Sequence, residues 1–381
     1  MKSATKIPGY LEAVLFGSGS IIIGLIWDIC WHRTIGRDSF WSPPHMAIYV
    51  GGLVAGLASA AVVLRTTFRG GGDRAQDDVT VLGFRGPLGA FFCCWGAGAM
   101  LTSAPFDDWW HNAYGLDVTI LSPPHMVLAL GIMVIQVGAM VTAVAHQNRA
   151  EAAGEAQPAT RTALRASYVI SAGLLFTSGA VFIYEKTIRV MMHHSSFYQA
   201  AALVFPFLLV AAASASRLRW PATWTALVYT GILLGQLWLL PMFPAEPRLG
   251  PVRHAVDHFV PLQFPLLVLV PAIGLDLVLR RANGRRAWGV AAVAGGVFLA
   301  LLLATQWPFA NFLMSPASRN ALFATHEFPY FVGADSYFMR RLIPDASRMA
   351  LLGGLTVALG VAVVSSRLGL LFGGWMSRVQ R

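Results

Sequence analysis

Residues 27–46 read WDICWHRTIGRDSFWSPPHM, and residues 106–126 read FDDWWHNAYGLDVTILSPPHM. Each copy places an Asp four residues before a His: Asp28 and His32 in the first, Asp107 and His111 in the second. Gly36 and Gly115 follow four residues later, then Asp38 and Asp117, and each copy closes on Ser-Pro-Pro-His at His45 and His125. The second copy carries one extra residue before that closing motif. Residues i and i+4 share a helix face, so each Asp/His pair converges at the end of a helix. Ser is a good N-cap and Pro is favoured in the first helical turn. Ser-Pro-Pro-His therefore opens the next helix, with His45 or His125 in its first turn. The pattern predicts two helix hairpins in parallel duplication, each presenting one carboxylate and two imidazoles.

The surroundings of these copies are apolar. The chain of 381 residues is 56% hydrophobic and 12% charged, about half the charged fraction of a soluble domain. Ten stretches are long enough to cross a bilayer core as helices. They lie near 11–31, 44–66, 87–107, 123–145, 163–184, 196–216, 222–241, 259–280, 286–306 and 349–373. The expected fold class is all-α, a polytopic helical membrane protein of about ten transmembrane helices. It divides into a first hairpin at 1–68, a second at 87–146, and further helices over 162–381. The loop at 67–86 is Gly-rich, charged and expected to be flexible. The segment 307–347, rich in aromatic residues and Pro, is expected to form a structured outer cap or a re-entrant piece. The first apolar stretch is too long for a cleavable signal peptide and carries Asp28 at its end.

The net charge of +10 raises the question of nucleic acid. With the N-terminus inside, most Lys and Arg fall in inner loops, as the positive-inside rule requires. The basic charge is therefore topological, and no nucleic-acid partner is expected. This reading places both termini in the cytoplasm and the protein in a bacterial-type inner membrane. Of the ten histidines, His146 alone falls on the inner side. The metal sites therefore lie towards the outer, periplasmic face. Cys30, Cys93 and Cys94 lie in or beside apolar stretches without a CxxC spacing and read as packing residues.

Two imidazoles and one carboxylate with open positions suit a redox or Lewis-acid metal; copper, iron and zinc are all compatible. The same residues could instead form a buried hydrogen-bonded cap or a proton relay. Asp38 and Asp117 read as groups that orient a ligand or cap a loop, and Asp108 as helix-end solvation. Trp27, Trp31, Trp41, Trp109 and Trp110 read as an interfacial aromatic belt. His254 and His258 share a helical spacing with Asp257 beside them, a weaker candidate pair. His193 and His194 are adjacent and cannot share a face. Glu185 is a further outer-face carboxylate. No phosphate loop, nucleophile elbow or nucleotide motif is present.

The spacing Asp-x3-His-x12-His, followed by x3-His-x13-His, resembles the C subunit of the copper membrane monooxygenases, which include particulate methane and ammonia monooxygenases. There, one site uses Asp, His and His, and its neighbour Asn, His and His. The resemblance implies copper sites at Asp28, His32 and His45 and at Asp107, His111 and His125, the latter set being the catalytic candidate. Asp107 stands where the family has Asn, which makes the second site more anionic. The run PFANFLMSPASRNALFATHEFPYF at 308–331 is similar to a segment of the A subunit. The stronger resemblance covers residues 20–130. No long β-rich portion corresponds to the family's cupredoxin-like B subunit, which a separate partner could supply.

The resemblance implies a membrane copper monooxygenase, or a subunit of one. It would activate O2 to oxidise a small apolar substrate or ammonia, with a quinol as reductant, among membrane lipids and in an oligomer. The alternatives are a metal or proton transporter or metal-handling membrane protein, and an assembly subunit with structural metal.

Overall fold

The computed structural model describes residues 7–36, 39–69, 78–115, 122–152, 158–282, 286–333, 336 and 341–380. Asp38 and Asp117 lie outside the described residues. The helices are α1 (Gly9–Thr34), α2 (Pro43–Phe68), α3 (Leu88–Tyr114), α4 (Pro123–Ala152), α5 (Pro158–Phe182), α6 (Ser195–Ala215), α7 (Pro221–Leu239), α8 (Leu269–Arg280), α9 (Ala287–Met314) and α10 (Arg348–Met376). Among the described residues, nine of these are long and apolar enough to span a membrane; α8 is not. Among the described residues the protein is predominantly helical, as suits a polytopic membrane protein. The loop before α3 also carries a small antiparallel hairpin, β1 (Val79–Val81) with β2 (Phe84–Gly86).

Two compact units divide the chain. One comprises residues 1–24, 45–178 and 374–381, the other 25–44 and 179–373. In the first unit, helices meet at glycines. A Cβ added at Gly51 would lie 2.5 Å from the Gly17 carbonyl oxygen and 2.7 Å from Ile21 Cγ1. One added at Gly131 would lie 2.7 Å from the Gly96 carbonyl oxygen and 2.9 Å from Met100 Cγ. Gly17 and Gly96 each precede the first His of their sequence copy by fifteen residues; Gly51 and Gly131 each follow the second by six. The two hairpins therefore cross backbone to backbone at equivalent positions. Without water, such small-residue contacts are what hold membrane helices together.

The same unit contains an apolar groove of about 670 Å³ between α2, α3 and the β-hairpin. Leu64, Leu82, Phe91, Trp95 and Thr102 are among its walls.

In the second unit, α6, α7, α8 and α9 pack together. The α10 helix lies against α6, where a Cβ at Gly369 would meet the Phe207 carbonyl oxygen at 2.7 Å. The carboxylate of Asp276 on α8 caps the start of α7, accepting from Ala222 N at 3.1 Å, Thr223 N at 2.9 Å and Thr223 Oγ1 at 2.7 Å.

The apolar stretch 259–280 is not one helix, contrary to the sequence expectation. Residues 259–267 are irregular, and helix starts at Leu269. Pro261 and Pro265 explain the break, since each lacks an N–H and restricts the residue before it. Val260, Leu262 and Leu266 in this segment are nonetheless buried. Phe259 N donates to the Phe243 carbonyl at 3.1 Å, and side chains accept from four further amides. Val260 N donates to Thr34 Oγ1 at 2.8 Å, Leu262 N to Gln236 Oε1 at 3.0 Å, Leu266 N to Tyr229 Oη at 3.1 Å and Leu267 N to Gln306 Oε1 at 2.9 Å. Irregular backbone away from water is tolerated on this condition.

Candidate metal centre

The Asp107–His111 pair occupies the last turns of α3. The helix stops at Gly115, whose φ of 97° is a left-handed conformation that glycine tolerates and whose N–H bonds the His111 carbonyl at 3.0 Å. The same glycine's carbonyl accepts a hydrogen bond from His111 Nδ1 at 3.3 Å. That bond puts the proton on Nδ1 and turns Nε2 towards Asp107 Oδ2, 3.3 Å away. A carbonyl behind a ligand imidazole is the usual way such a ring is oriented.

His125 enters from the first turn of α4, as its Ser-Pro-Pro-His predicts. Its backbone N–H donates to the Ser122 hydroxyl at 3.4 Å, the expected N-cap. His125 Nε2 lies 3.4 Å from Asp107 Oδ1. Each oxygen of one carboxylate thus faces the Nε2 of a different ring. The three side chains are about three-quarters buried. Donor atoms of Asp107, His111 and His125 all lie within 4.8 Å of one another.

These separations suit a metal. Two ligands about 2.0–2.2 Å from one ion, at angles between square and tetrahedral, are about 3.0–3.5 Å apart. An O,N,N donor set of this kind would hold copper, iron or zinc with positions open. Phe106, Trp109, Trp110 and Tyr114 form an aromatic cluster on the same helix end, with Trp110 and Tyr114 rings 4.5 Å apart. The Asp108 carboxylate accepts from Asn112 Nδ2 at 3.4 Å.

In the other copy, Asp28 and His32 share a face of α1 with His32 Nε2 3.8 Å from Asp28 Oδ2. His45 belongs to the other compact unit and sits in the first turn of α2, its ring 6.0 Å from that of Tyr49. Among the described residues, the one group of three with mutually close donors is Asp107, His111 and His125.

The pairing of His254 with His258 is corrected, because the backbone there is not helical. His254 Nδ1 donates to the Val332 carbonyl at 2.8 Å. His258 places Nδ1 2.6 Å from Asp257 and Nε2 3.0 Å from Glu327 Oε2. The other Glu327 oxygen lies 3.1 Å from His326 Nε2. This bridge escapes sequence reasoning: Glu327 is 69 residues from His258 and shares no spacing with it. Burial by itself would lower the His258 pKa; its hydrogen bond to Asp257 and the charge of Glu327 outweigh that and raise it. His193 stacks on Trp307 at 3.9 Å and donates Nε2–H to its carbonyl at 3.1 Å. His194 Nδ1 accepts from Ser196 N at the start of α6. Glu185 is exposed on the turn after α5. Cys30, Cys93 and Cys94 are free, the first two buried.

No protein-family model, no curated protein and no solved structure matches this chain significantly.

Proposed function

We propose that the chain is a membrane metalloenzyme, a copper monooxygenase or a subunit of one, acting at Asp107, His111 and His125. The observation that carries this reading is the convergence of two Nε2 atoms on one carboxylate at 3.3 and 3.4 Å. Copper bound there would supply one-electron redox chemistry and activation of O2. Asp107 would offset the metal's charge, and the Gly115 carbonyl would hold His111 in the ligating tautomer. His125, fixed by the Ser122 cap, would complete the set from the next helix.

The apolar groove supports a small apolar substrate. Its wall reaches Thr102 on α3, five residues before Asp107, which is about 7–8 Å along a helix axis. A substrate or quinol entering from lipid would meet Leu64 and Phe91, whose side chains carry no hydrogen-bonding group. Asp28 and His32 on α1 repeat the carboxylate–imidazole pair of this site, 3.8 Å apart. The metal sites would face the periplasmic side of an inner membrane.

The test is metal content together with substrate-dependent O2 uptake of purified protein. Copper near stoichiometric amounts, lost with activity in His111→Ala and His125→Ala, is the expected result. The alternative is a transporter that passes a metal or proton through the same cluster. Metal or proton flux in vesicles without O2 consumption would favour it and sink the oxygenase.

A further inference from the structure

A second cluster, within the other unit and unrelated to the metal ligands' chemistry, is purely cationic. Arg33 in the last turn of α1 donates Nη1–H to the Tyr184 hydroxyl at 3.3 Å, and its buried Nε has no hydrogen-bond partner. Arg189 lies in the 3-10 turn Arg189–Met191. Its backbone N–H is held by Gln263 Oε1 at 2.6 Å, and its Nη1 donates to the Thr325 carbonyl at 3.1 Å. Its guanidinium stands over the Phe328 ring, 5.6 Å from the centroid. Arg319 is exposed and follows Ser318, whose hydroxyl lies 2.8 Å from that of Thr325, the residue whose carbonyl Arg189 binds; the same segment returns to Arg33, whose carbonyl accepts from Tyr330 N at 3.2 Å.

Burial pulls the Arg189 pKa down to about 10, and the charges of Arg33 and Arg319 pull the same way against an opposing effect of Tyr184. Among the described residues, none of the three makes an ion pair with a carboxylate. The nearby acids are engaged or turned outward. Glu327 faces His258 and His326, Asp345 accepts from Ser195 N and Oγ, and Glu185 is exposed. Gathering like charges and burying one of them is costly unless a counter-charge completes the site.

We infer that Arg33, Arg189 and Arg319 bind a phosphate-type oxyanion. Guanidinium edges match the oxygens of phosphate in paired N–H···O bonds. The Nε side of Arg189 has no protein acceptor among the described residues, and Arg33 Nε is likewise unused. The tetrahedral anion accepts from several directions at once, which suits three donors on three separate segments. Tyr184 adds a hydroxyl beside them. The phosphate can come from a phospholipid headgroup or from free inorganic phosphate, and either would tie the turn after α5 to the segment after α9.

The experiment uses the full chain purified in detergent. Its thermal midpoint is followed against inorganic phosphate, with chloride holding the ionic strength constant. In parallel, native mass spectrometry counts lipids retained after reconstitution with phosphatidylglycerol or phosphatidylcholine. Saturable stabilisation by phosphate, weakened at least tenfold in Arg189→Gln and Arg319→Gln, identifies free phosphate as the ligand. No response to phosphate, with retained phosphatidylglycerol that both variants lose, identifies the headgroup. If wild type shows neither, or if both variants behave as wild type, the inference is overturned. Should Arg189→Gln fail to fold, the exposed Arg319→Gln carries the test. Copper content is measured in the same samples, so that failure of the metal reading and failure of this one are seen separately.

Discussion

Asp107 on α3 reaches His125 on α4 at 3.4 Å, Oδ1 to Nε2, while its other oxygen faces His111 from the same helix. One carboxylate therefore faces a ring of its own helix and a ring of the next. The His111 ring is held from behind by the Gly115 carbonyl, and the His125 backbone N–H is capped by the Ser122 hydroxyl. The local motif and the tertiary contact are the same device.

The proposed ligand set predicts a graded response. His111→Ala and His125→Ala each remove a donor and should lower copper affinity at least about tenfold, since even supporting groups are worth about 10–100-fold. Asp107→Asn keeps an oxygen donor and should retain copper more weakly than wild type but better than either Ala variant. Titration with a copper chelator of known affinity measures the order. Equal affinity in all three variants would remove this cluster from consideration.

The crossing glycines predict steric sensitivity. Gly131→Val should force α3 and α4 apart, because its Cβ would start 2.7 Å from the Gly96 carbonyl oxygen; overpacking of this kind costs about 1–3 kcal/mol. Gly98→Ala on α3 should be tolerated, as nothing lies within 4 Å of its added Cβ. Thermal unfolding in detergent compares them. Copper should be lost in the Val variant as well, since the same hairpin spaces His125 from Asp107.

Removing side-chain acceptors should destabilise the irregular segment before α8. Gln306→Leu leaves Leu267 N–H without its partner, and Gln236→Leu does the same to Leu262 N–H. Each should cost about 1–3 kcal/mol, the penalty of an unsatisfied buried group. Tyr229→Phe tests the third bond, from Leu266 N. A midpoint unchanged in all three variants would contradict the account of how this backbone is satisfied.

His258 makes the contact between the segments around 258 and 327 sensitive to pH. Its pKa is raised in the folded protein, by Asp257 and Glu327 against the effect of burial. A raised imidazole pKa adds stability that is complete below the ordinary value of about 6.5 and disappears as pH rises through the raised one. Wild type should therefore lose stability between mildly acidic and mildly alkaline pH. His258→Gln should show a smaller loss over the same interval. Parallel curves for the two proteins would refute the assignment.

Much of this arrangement is legible in the amino-acid order. Asp-x3-His and Ser-Pro-Pro-His encode a helix end and a helix start, and α3 and α4 carry them as written. The apolar lengths give the other long helices. The eighth is misread because hydropathy counts Val260, Leu262 and Leu266 but ignores Pro261 and Pro265 between them. Glu327 and the Arg33, Arg189 and Arg319 cluster are invisible for another reason. Their partners come from distant segments, and no periodicity relates residue 33 to 189 or 258 to 327. Gln236 and Gln306 look like incidental polar residues in apolar helices until the backbone they serve is seen.

The irregular stretch at 259–267 also constrains the order of assembly. Its amide partners come from Thr34 at the end of α1, from Tyr229 and Gln236 on α7, and from Gln306 on α9. Three of these are synthesised before the stretch and one after it. The stretch cannot enter a membrane as a self-sufficient helix during synthesis. Its set of partners is completed only when α9 is made. A ribosome stalled before Gln306 would hold a chain in which Leu267 N–H still lacks its acceptor.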